Sequence, residues 1–173
     1  MNIYDLQLGP IERVEARSWE EVAGLMNTTR RPLIFTGLKD DLEFLRAWDL
    51  DFLGQMDTQV PVQKPESDGV NYFIRYEKMP MKEVVERIQG GDSIYIGARK
   101  ITGSKGVRSE ADGLGELAEK MVLPKWIDSE RIYSANLWLG AGNNNTLLHY
   151  DAWDSVLMLG RGEKEFIVFP NTE

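Results

Sequence analysis

The last third of the chain contains four short apolar runs that lie only a few residues apart. Turn-forming stretches rich in Gly and Asn separate them, at residues 140–145 and 160–162. Short strand-like runs joined by such turns indicate neighbouring antiparallel strands. The sequence therefore predicts the start of an antiparallel sheet or barrel, with strands over residues 132–139, 146–151, 155–159 and 164–169.

Residues 1–128 alternate between helical and strand-like patterns. Ser18-Trp19-Glu20-Glu21 has the form of a capping box at a helix start. A polar, Gly-containing stretch at 99–113 predicts a mobile loop. We expect one domain, in which residues 1–128 lead into the barrel strands of residues 129–173. The predicted helices cover 18–26, 41–48, 81–89 and 116–121, and the predicted strands cover 31–37, 70–76 and 93–97.

Composition limits the functions that the chain can have. The net charge of −8 argues against nucleic-acid binding, which needs a basic surface. The absence of Cys excludes disulfides, thiolate metal ligands and a Cys nucleophile. The N-terminal sequence has no signal-peptide pattern, and the apolar runs are too short to cross a bilayer. We therefore expect no membrane association and a cytoplasmic location.

The chain has a single histidine, His149, and an aspartate follows it two residues later. Residues i and i+2 of a strand point to the same face, so His149 and Asp151 can converge on one ion. One imidazole and one carboxylate are two of the three ligands in the facial triad of non-haem Fe(II) oxygenases. The alternative is a half-buried histidine bonded to a neighbouring carboxylate.

Three segments around this pair resemble the JmjC/cupin-like (cupin-8 type) hydroxylases, which depend on Fe(II) and 2-oxoglutarate. They are residues 136–140 (NLWLG), 146–151 (TLLHYD) and 162–170 (GEKEFIVFP). The likeness is greatest to the branch that contains the asparaginyl hydroxylase inhibiting hypoxia-inducible factor, although Leu147 stands where that family usually has Pro. Residues 31–38 and 81–88 extend the likeness upstream.

The resemblance implies a role for each matching residue. His149 and Asp151 match two Fe(II) ligands. Lys164 matches the lysine that pairs with the distal carboxylate of 2-oxoglutarate, where a cation compensates the charge of a dicarboxylate in an apolar barrel. Thr146 and Tyr95 match the two hydroxyls that bind the same carboxylate. Taken singly, Lys164 fits a solvent-facing lysine, and Thr146 and Tyr95 fit ordinary strand residues.

Three further positions are weaker candidates. Ser155 falls near the place where some relatives have an Asn close to the metal. Trp138 and Trp153 are candidates for the pocket wall, and they fit core aromatics equally well. Because Thr146 lies three residues before His149, strict alternation would put the two side chains on opposite faces of a strand. A shared site for both residues requires an irregularity at the strand entrance.

The main departure from the resemblance is the third metal ligand. Members of this family have a distal histidine on a late barrel strand, and the sequence has no second histidine. The expected fold is therefore an α+β, mainly β, double-stranded β-helix (jelly roll) that is cut off after its first strands. We expect a fragment of a hydroxylase, one half of a split enzyme completed by a complementing chain or a homodimer, or a degenerate non-enzyme.

The resemblance implies an Fe(II)- and 2-oxoglutarate-dependent dioxygenase that uses O2 and is active only when the missing histidine and late strands are supplied. Its substrate would be a protein side chain or a small molecule. The competing hypothesis is a non-catalytic cupin-like binding or interaction module. A cupin-type isomerase that binds a metal without needing 2-oxoglutarate is a third alternative.

Overall fold

The computed structural model describes most of the chain. The backbone alone is described at 64–67, 72–74, 102–103 and 107–108. The described residues are 9–29, 31–38, 40, 42–67, 72–103, 107–108, 114–123, 132–141, 144, 146 and 148–169.

The N-terminal elements form a small parallel unit. Strand β1 (Glu12–Glu15) pairs in parallel with β2 (Leu33–Thr36), and helix α1 (Trp19–Thr28) makes the crossover that a parallel pair requires. The predicted Ser18 cap is present, because the Ser18 hydroxyl accepts from the Glu21 N–H at 3.4 Å. The Glu21 carboxylate accepts from the Arg17 N–H at 2.7 Å, one residue before the position that it occupies in a regular capping box. This unit has a small hydrophobic core of its own, formed by Ala16, Val22 and Leu38.

Two short helices follow this unit. Helix α2 (Glu43–Ala47) confirms the helix predicted over 41–48, in a shorter form. Helix α3 (Leu50–Gly54) was not predicted, and it starts because the Asp49 carboxylate accepts from the Phe52 N–H at 2.8 Å. A capped helix start of this kind satisfies one of the backbone donors that the first turn leaves free.

The main sheet has five strands. Strand β3 (Gln59–Ser67) pairs antiparallel with β4 (Tyr72–Pro80) and with β5 (Ile94–Gly103). Strand β6 (Val107–Arg108) pairs with the end of β5, and β7 (Ser134–Ala141) pairs with β5 along most of its length. Strand β7 confirms the first of the four strands predicted at the C-terminal end.

Helices α3, α4 (Met81–Gln89) and α5 (Gly115–Lys120) pack with one face of this sheet. The spacing of buried Met81, Val84 and Val85 on α4 confirms the helix predicted over 81–89. Each fully buried aliphatic side chain of this kind contributes roughly 1.5–3 kcal/mol to folding. The sheet supplies Val60, Val62, Met79, Ile94, Ile96 and Ile101 to the same core.

Strand β5 contains two irregularities. Its pairing with β7 passes from Ile96 opposite Leu139 to Arg99 opposite Leu137, so β5 has one extra residue there. A second register shift lies between Lys100 and Thr102. A β-bulge bends the strand and re-aims its side chains. At the first bulge Ala98 has a left-handed backbone, with φ of +48°.

Two predictions made from the sequence were wrong. The stretch 99–113 is not a single loop, because residues 99–103 belong to β5 and residues 107–108 to β6. The rest of this stretch, residues 104–106 and 109–113, lies outside the described residues. The strands predicted over 146–151, 155–159 and 164–169 are not formed: the described residues there have no helix or ladder pairing. An extended backbone becomes a strand only when a neighbouring strand takes up its hydrogen bonds.

None of the helices in the described ranges is long and apolar enough to cross a membrane.

Candidate functional site

The candidate site is built on the face of the main sheet that points away from the helices. Tyr95 on β5 is in register with Gln63 on β3 and with Gly140 on β7. Its neighbours Ile94 and Ile96 are buried in the helix-covered core. Because side chains alternate along a strand, Tyr95 projects from the opposite face.

Two glycines make room for the Tyr95 ring. A Cβ placed on Gly140 would lie 2.7 Å from Tyr95 Cδ2, and one placed on Gly97 would lie 3.2 Å from Tyr95 Cε1. Both distances are shorter than an ordinary carbon–carbon contact. The Tyr95 ring therefore occupies space that side chains at these two positions would otherwise fill.

Lys164 and Trp138 lie together on this face. Trp138 is two residues before Gly140 on β7, so it projects from the same side as Tyr95. Lys164 Nζ lies 5.6 Å from the centre of the Trp138 ring and 5.4 Å from that of Phe166. Such distances fall within the range of cation–π contacts. Burial among these neighbours lowers the pKa of the Lys164 amine below its ordinary value.

His149 and Asp151 also converge. His149 Nε2 lies 3.8 Å from Asp151 Oδ1, although neither residue is part of a strand. Two donors that bind one metal ion at about 2.1 Å each are at most about 4.2 Å apart, so this pair fits a shared ion. Both side chains are more than half exposed, at 57% and 62%.

The remaining predicted residues lie in the same C-terminal segment. The Trp153 ring stacks on Tyr133 with a centroid distance of 4.9 Å and an interplanar angle of 14°. The Ser155 hydroxyl donates to the Trp153 carbonyl at 3.5 Å, at the limit of a hydrogen bond. Thr146 is exposed. These contacts link Trp153 and Ser155 to each other and not to the Tyr95 face.

The structure thus gives two separate groupings of the predicted residues. Tyr95, Trp138 and Lys164 share one face of the sheet, whereas His149 and Asp151 form an exposed pair. Across the described ranges, no three His, Cys, Asp or Glu side chains group as metal ligands. The one imidazole and one carboxylate fit two positions of a facial iron triad in their chemistry.

Two polar side chains that sequence reasoning missed lie beside this face. The Arg99 guanidinium lies 4.6 Å above the centre of the Tyr76 ring, on β4. The pattern of residues alone gave no signal for this pair, because Tyr76 comes near β5 only through the pairing of β4 with β3 and of β3 with β5.

Asn144, three residues after β7, makes two hydrogen bonds to the main sheet. The Asn144 amide donates to the Ala141 carbonyl at 2.7 Å and to the Ile94 carbonyl at 3.3 Å. The sequence predicts only a turn at Asn144. The amide of this residue also links the end of β7 to the start of β5 by hydrogen bonds, next to Tyr95.

The comparison with family profiles identifies the class of the protein. The cupin-like domain family matches residues 22–173. The chain belongs to this family, and the fold class predicted from the sequence, a cupin-like domain of mixed α and β content, is confirmed. No curated protein matches the chain significantly.

Proposed function

We propose that this chain carries the metal- and cosubstrate-binding residues of an Fe(II)- and 2-oxoglutarate-dependent dioxygenase. Membership of the cupin-like domain family supports this function, as does the resemblance of residues 136–170 to the JmjC-type hydroxylases. The observation that carries the proposal is the 3.8 Å separation of His149 Nε2 and Asp151 Oδ1. Two donors this close suit a single ion.

Each residue has a distinct task in this proposal. His149 and Asp151 would hold the iron. Lys164 would neutralise the distal carboxylate of 2-oxoglutarate, and its aromatic neighbours would strengthen that pairing by excluding water. The phenol of Tyr95 and the hydroxyl of Thr146 would donate to the same carboxylate. Trp138 would form the wall beside Lys164, and Trp153 and Ser155 would lie nearer the metal.

The iron needs one more imidazole than the sequence supplies. Because His149 is the single histidine of the 173 residues, a second imidazole ligand must come from outside this sequence. A complementing polypeptide, covalently continuous or separate, would bring it together with further strands. In solution, free imidazole can act as the ligand in its place.

Bound iron would supply the activation of O2, coupled to conversion of 2-oxoglutarate to succinate and CO2. The chain's own residues would hold the cosubstrate, fix the two metal donors and keep water from the lysine. By analogy with the asparaginyl hydroxylase branch, the substrate would be a protein side chain or a small molecule.

A non-catalytic cupin-like module is the second candidate. The exposure of His149 and Asp151 favours it, since catalytic metal sites need a dry, shaped cavity. A module of this kind would bind a partner or a small acid through the Tyr95 face without turning it over.

The test is iron-dependent turnover of 2-oxoglutarate by the purified chain, with and without added imidazole. We expect Fe(II) to support succinate formation that imidazole increases, and the His149→Ala variant to lose it. Binding of Co(II), followed by its visible absorption, gives a readout without turnover and is expected to weaken in both His149→Ala and Asp151→Asn. Val122→Ala, a change in an exposed residue away from the candidate site, serves as the control.

The outcomes separate the two candidates. Binding of 2-oxoglutarate that needs Lys164 but gives no iron-dependent succinate above His149→Ala would favour the non-catalytic module. Absence of both succinate formation and 2-oxoglutarate binding would overturn the dioxygenase proposal for this chain. Metal binding with no dependence on 2-oxoglutarate would favour a metal-dependent isomerase.

A further inference from the structure

The Arg99 guanidinium stacks on an aromatic ring and does not pair with a described carboxylate. It lies with its face 4.6 Å above the Tyr76 ring, whereas several arginines at the surface pair with carboxylates, such as Arg87 with Glu83 at 2.7 Å. Within the described part of the chain, no carboxylate forms an ion pair with Arg99. Its positive charge is therefore available to an external group.

The Arg99 side chain also has an unused donor. Its Nε is buried and has no hydrogen-bond partner among the residues that the structure describes. A buried donor without a partner is unfavourable, and the unfavourable free energy is recovered when an acceptor arrives. Because the cation–π contact uses the face of the guanidinium, its N–H groups remain for hydrogen bonds in the plane of the group. Nε has almost no accessible surface, so a ligand would bind the Nη groups first and reach Nε only after a small shift of the side chain. These N–H groups match a carboxylate, which can accept two parallel N–H bonds.

The surroundings supply further polar groups. Tyr76 is in register with Gln63, and Gln63 is in register with Tyr95, so the three side chains form a row across β4, β3 and β5. The Gln63 amide lies against Gly97, where a side chain would displace it. The phenols of Tyr76 and Tyr95 and the amide of Gln63 therefore lie on one face of the sheet, and the Arg99 side chain reaches this face at Tyr76.

The backbone of β5 is irregular immediately before Arg99. The extra residue between Ile96 and Arg99 changes the alternation of side chains, and Ala98 takes up the change with its left-handed φ of +48°. Strained backbone of this kind persists where the surrounding structure enforces it, and it is common at binding sites.

We propose that Arg99, backed by Tyr76 and flanked by Gln63, is a carboxylate-binding site separate from Lys164. It would take the carboxylate of an acidic ligand, presented either by a small organic acid or by an acidic side chain of a polypeptide. The site requires neither iron nor 2-oxoglutarate, so it stands whether or not the chain is a dioxygenase.

The test follows the Nε–Hε signal of Arg99 by nuclear magnetic resonance, assigned by its loss in the Arg99→Lys variant. Acetate is the probe, and acetamide, which has nearly the same shape and no charge, is the matched control. We expect acetate to shift the signal to saturation in the millimolar range and acetamide to leave it in place. The Nε–Hε signal of Arg87, whose charge is already paired with the Glu83 carboxylate, should not respond.

Variants of the supporting residue sharpen the test. Tyr76→Phe keeps the ring and should keep the affinity for acetate. Tyr76→Leu removes the ring and should weaken acetate binding about two- to fivefold, the contribution of a partly exposed cation–π contact. A Lys164→Ala variant should leave the Arg99 response unchanged, because the two sites are separate.

Each contrary result has a clear meaning. An equal response to acetamide, or an equal response to chloride at the same ionic strength, would overturn the proposal. Loss of the Arg99 response in Lys164→Ala would show that acetate binds at Lys164, and it would also overturn it. Given a positive result, glutarate and the peptide acetyl-Gly-Glu-Gly-amide distinguish the sources: the tighter binder identifies a small acid or a polypeptide as the preferred carrier of the carboxylate.

Discussion

At the scale of single residues, Ala98 has the most demanding position. It is the only non-glycine with positive φ among the described residues. A left-handed conformation costs an alanine about 1–2 kcal/mol relative to the right-handed one, and a β-branched residue is more strongly disfavoured there. Because Ala98 is exposed, a larger side chain there would point to solvent. The change in stability caused by a substitution at this position therefore reflects the backbone conformation alone.

We therefore expect Ala98→Val to lower the free energy of unfolding by about 1–2 kcal/mol. Ala98→Gly should leave this free energy equal or slightly higher, because glycine adopts positive φ without a steric penalty. Urea denaturation of the three proteins measures the difference. Equal midpoints for the valine and glycine variants would contradict the left-handed conformation.

Lys164 gives a prediction about pH. Only the protonated amine neutralises a carboxylate, and burial lowers the pKa of this amine. Binding of 2-oxoglutarate should therefore weaken as the pH rises through this lowered pKa, at a lower pH than for an exposed lysine. The lowered pKa has the opposite effect on the stability of the fold. At pH values between the pKa of Lys164 in the folded protein and its higher pKa in the unfolded chain, the unfolded chain binds more protons. The free energy of unfolding therefore rises with pH in that range.

Isothermal titration of 2-oxoglutarate at a series of pH values measures this effect. The Lys164→Arg variant should bind with little change over the same range, because a guanidinium stays protonated. An identical alkaline loss of binding in Lys164→Arg would assign the titration to another group.

The candidate site shows what single-residue patterns can predict. The pair His149 and Asp151 was expected to converge because of its spacing, and the two side chains do converge, but on backbone that is not a strand. The grouping of Tyr95 with Trp138 and Lys164 followed from a resemblance. The contact of Arg99 with Tyr76 depends on the order of β4, β3 and β5 in the sheet, which alternation of side chains cannot reveal.

At the scale of elements, helix α3 depends on its first residue. The Asp49 carboxylate accepts from the Phe52 N–H at 2.8 Å, and Leu53 of this helix is buried in the main core. We expect Asp49→Ala to destabilise the protein by about 1 kcal/mol, the usual effect of losing such a cap. Asp49→Asn keeps an acceptor and should retain most of the stability.

Thermal unfolding of the two Asp49 variants and the parent protein measures the effect of the cap. If Asp49→Asn loses as much stability as Asp49→Ala, then the charge at the helix N-terminus matters and the hydrogen bond does not.

Elements with local signals were predicted well. Helix α1 has the Ser18 cap and helix α4 has an apolar period, and both predictions are confirmed. Strand β1 has the sequence ERVE, which is mostly charged, and β3 contains Pro61 and Pro65. Neither strand was predicted. Strand β1 is mostly charged and pairs with β2, which follows only after helix α1. In β3 the two prolines weaken the strand pattern.

At the scale of the whole molecule, the segment from residue 148 to residue 168 stands out by its exposure. Large apolar side chains point to solvent there, among them Leu148 at 78%, Tyr150 at 91% and Trp153 at 62% exposed. Extended apolar surface of this kind promotes association with other chains. Unpaired extended backbone acts in the same direction.

We expect the purified chain to self-associate as its concentration rises. The double variant Leu157→Lys with Leu159→Lys should reduce association, because two charges oppose burial of this surface. Val122→Lys is the matched control, since Val122 is also an exposed apolar residue but lies outside the segment. Light scattering coupled to size-exclusion chromatography measures the mass; a monomer at all concentrations would contradict the expectation.

The two hydrophobic clusters of the fold have a consequence for its motions. Ala16, Val22 and Leu38 pack apart from the larger cluster that includes Val60, Ile96 and Leu117. A unit with so small a core can open at a lower free energy than the rest of the protein. Amide hydrogens of β1, α1 and β2 should therefore exchange with solvent through a separate opening, while the backbone around Tyr95 stays protected until the main sheet unfolds.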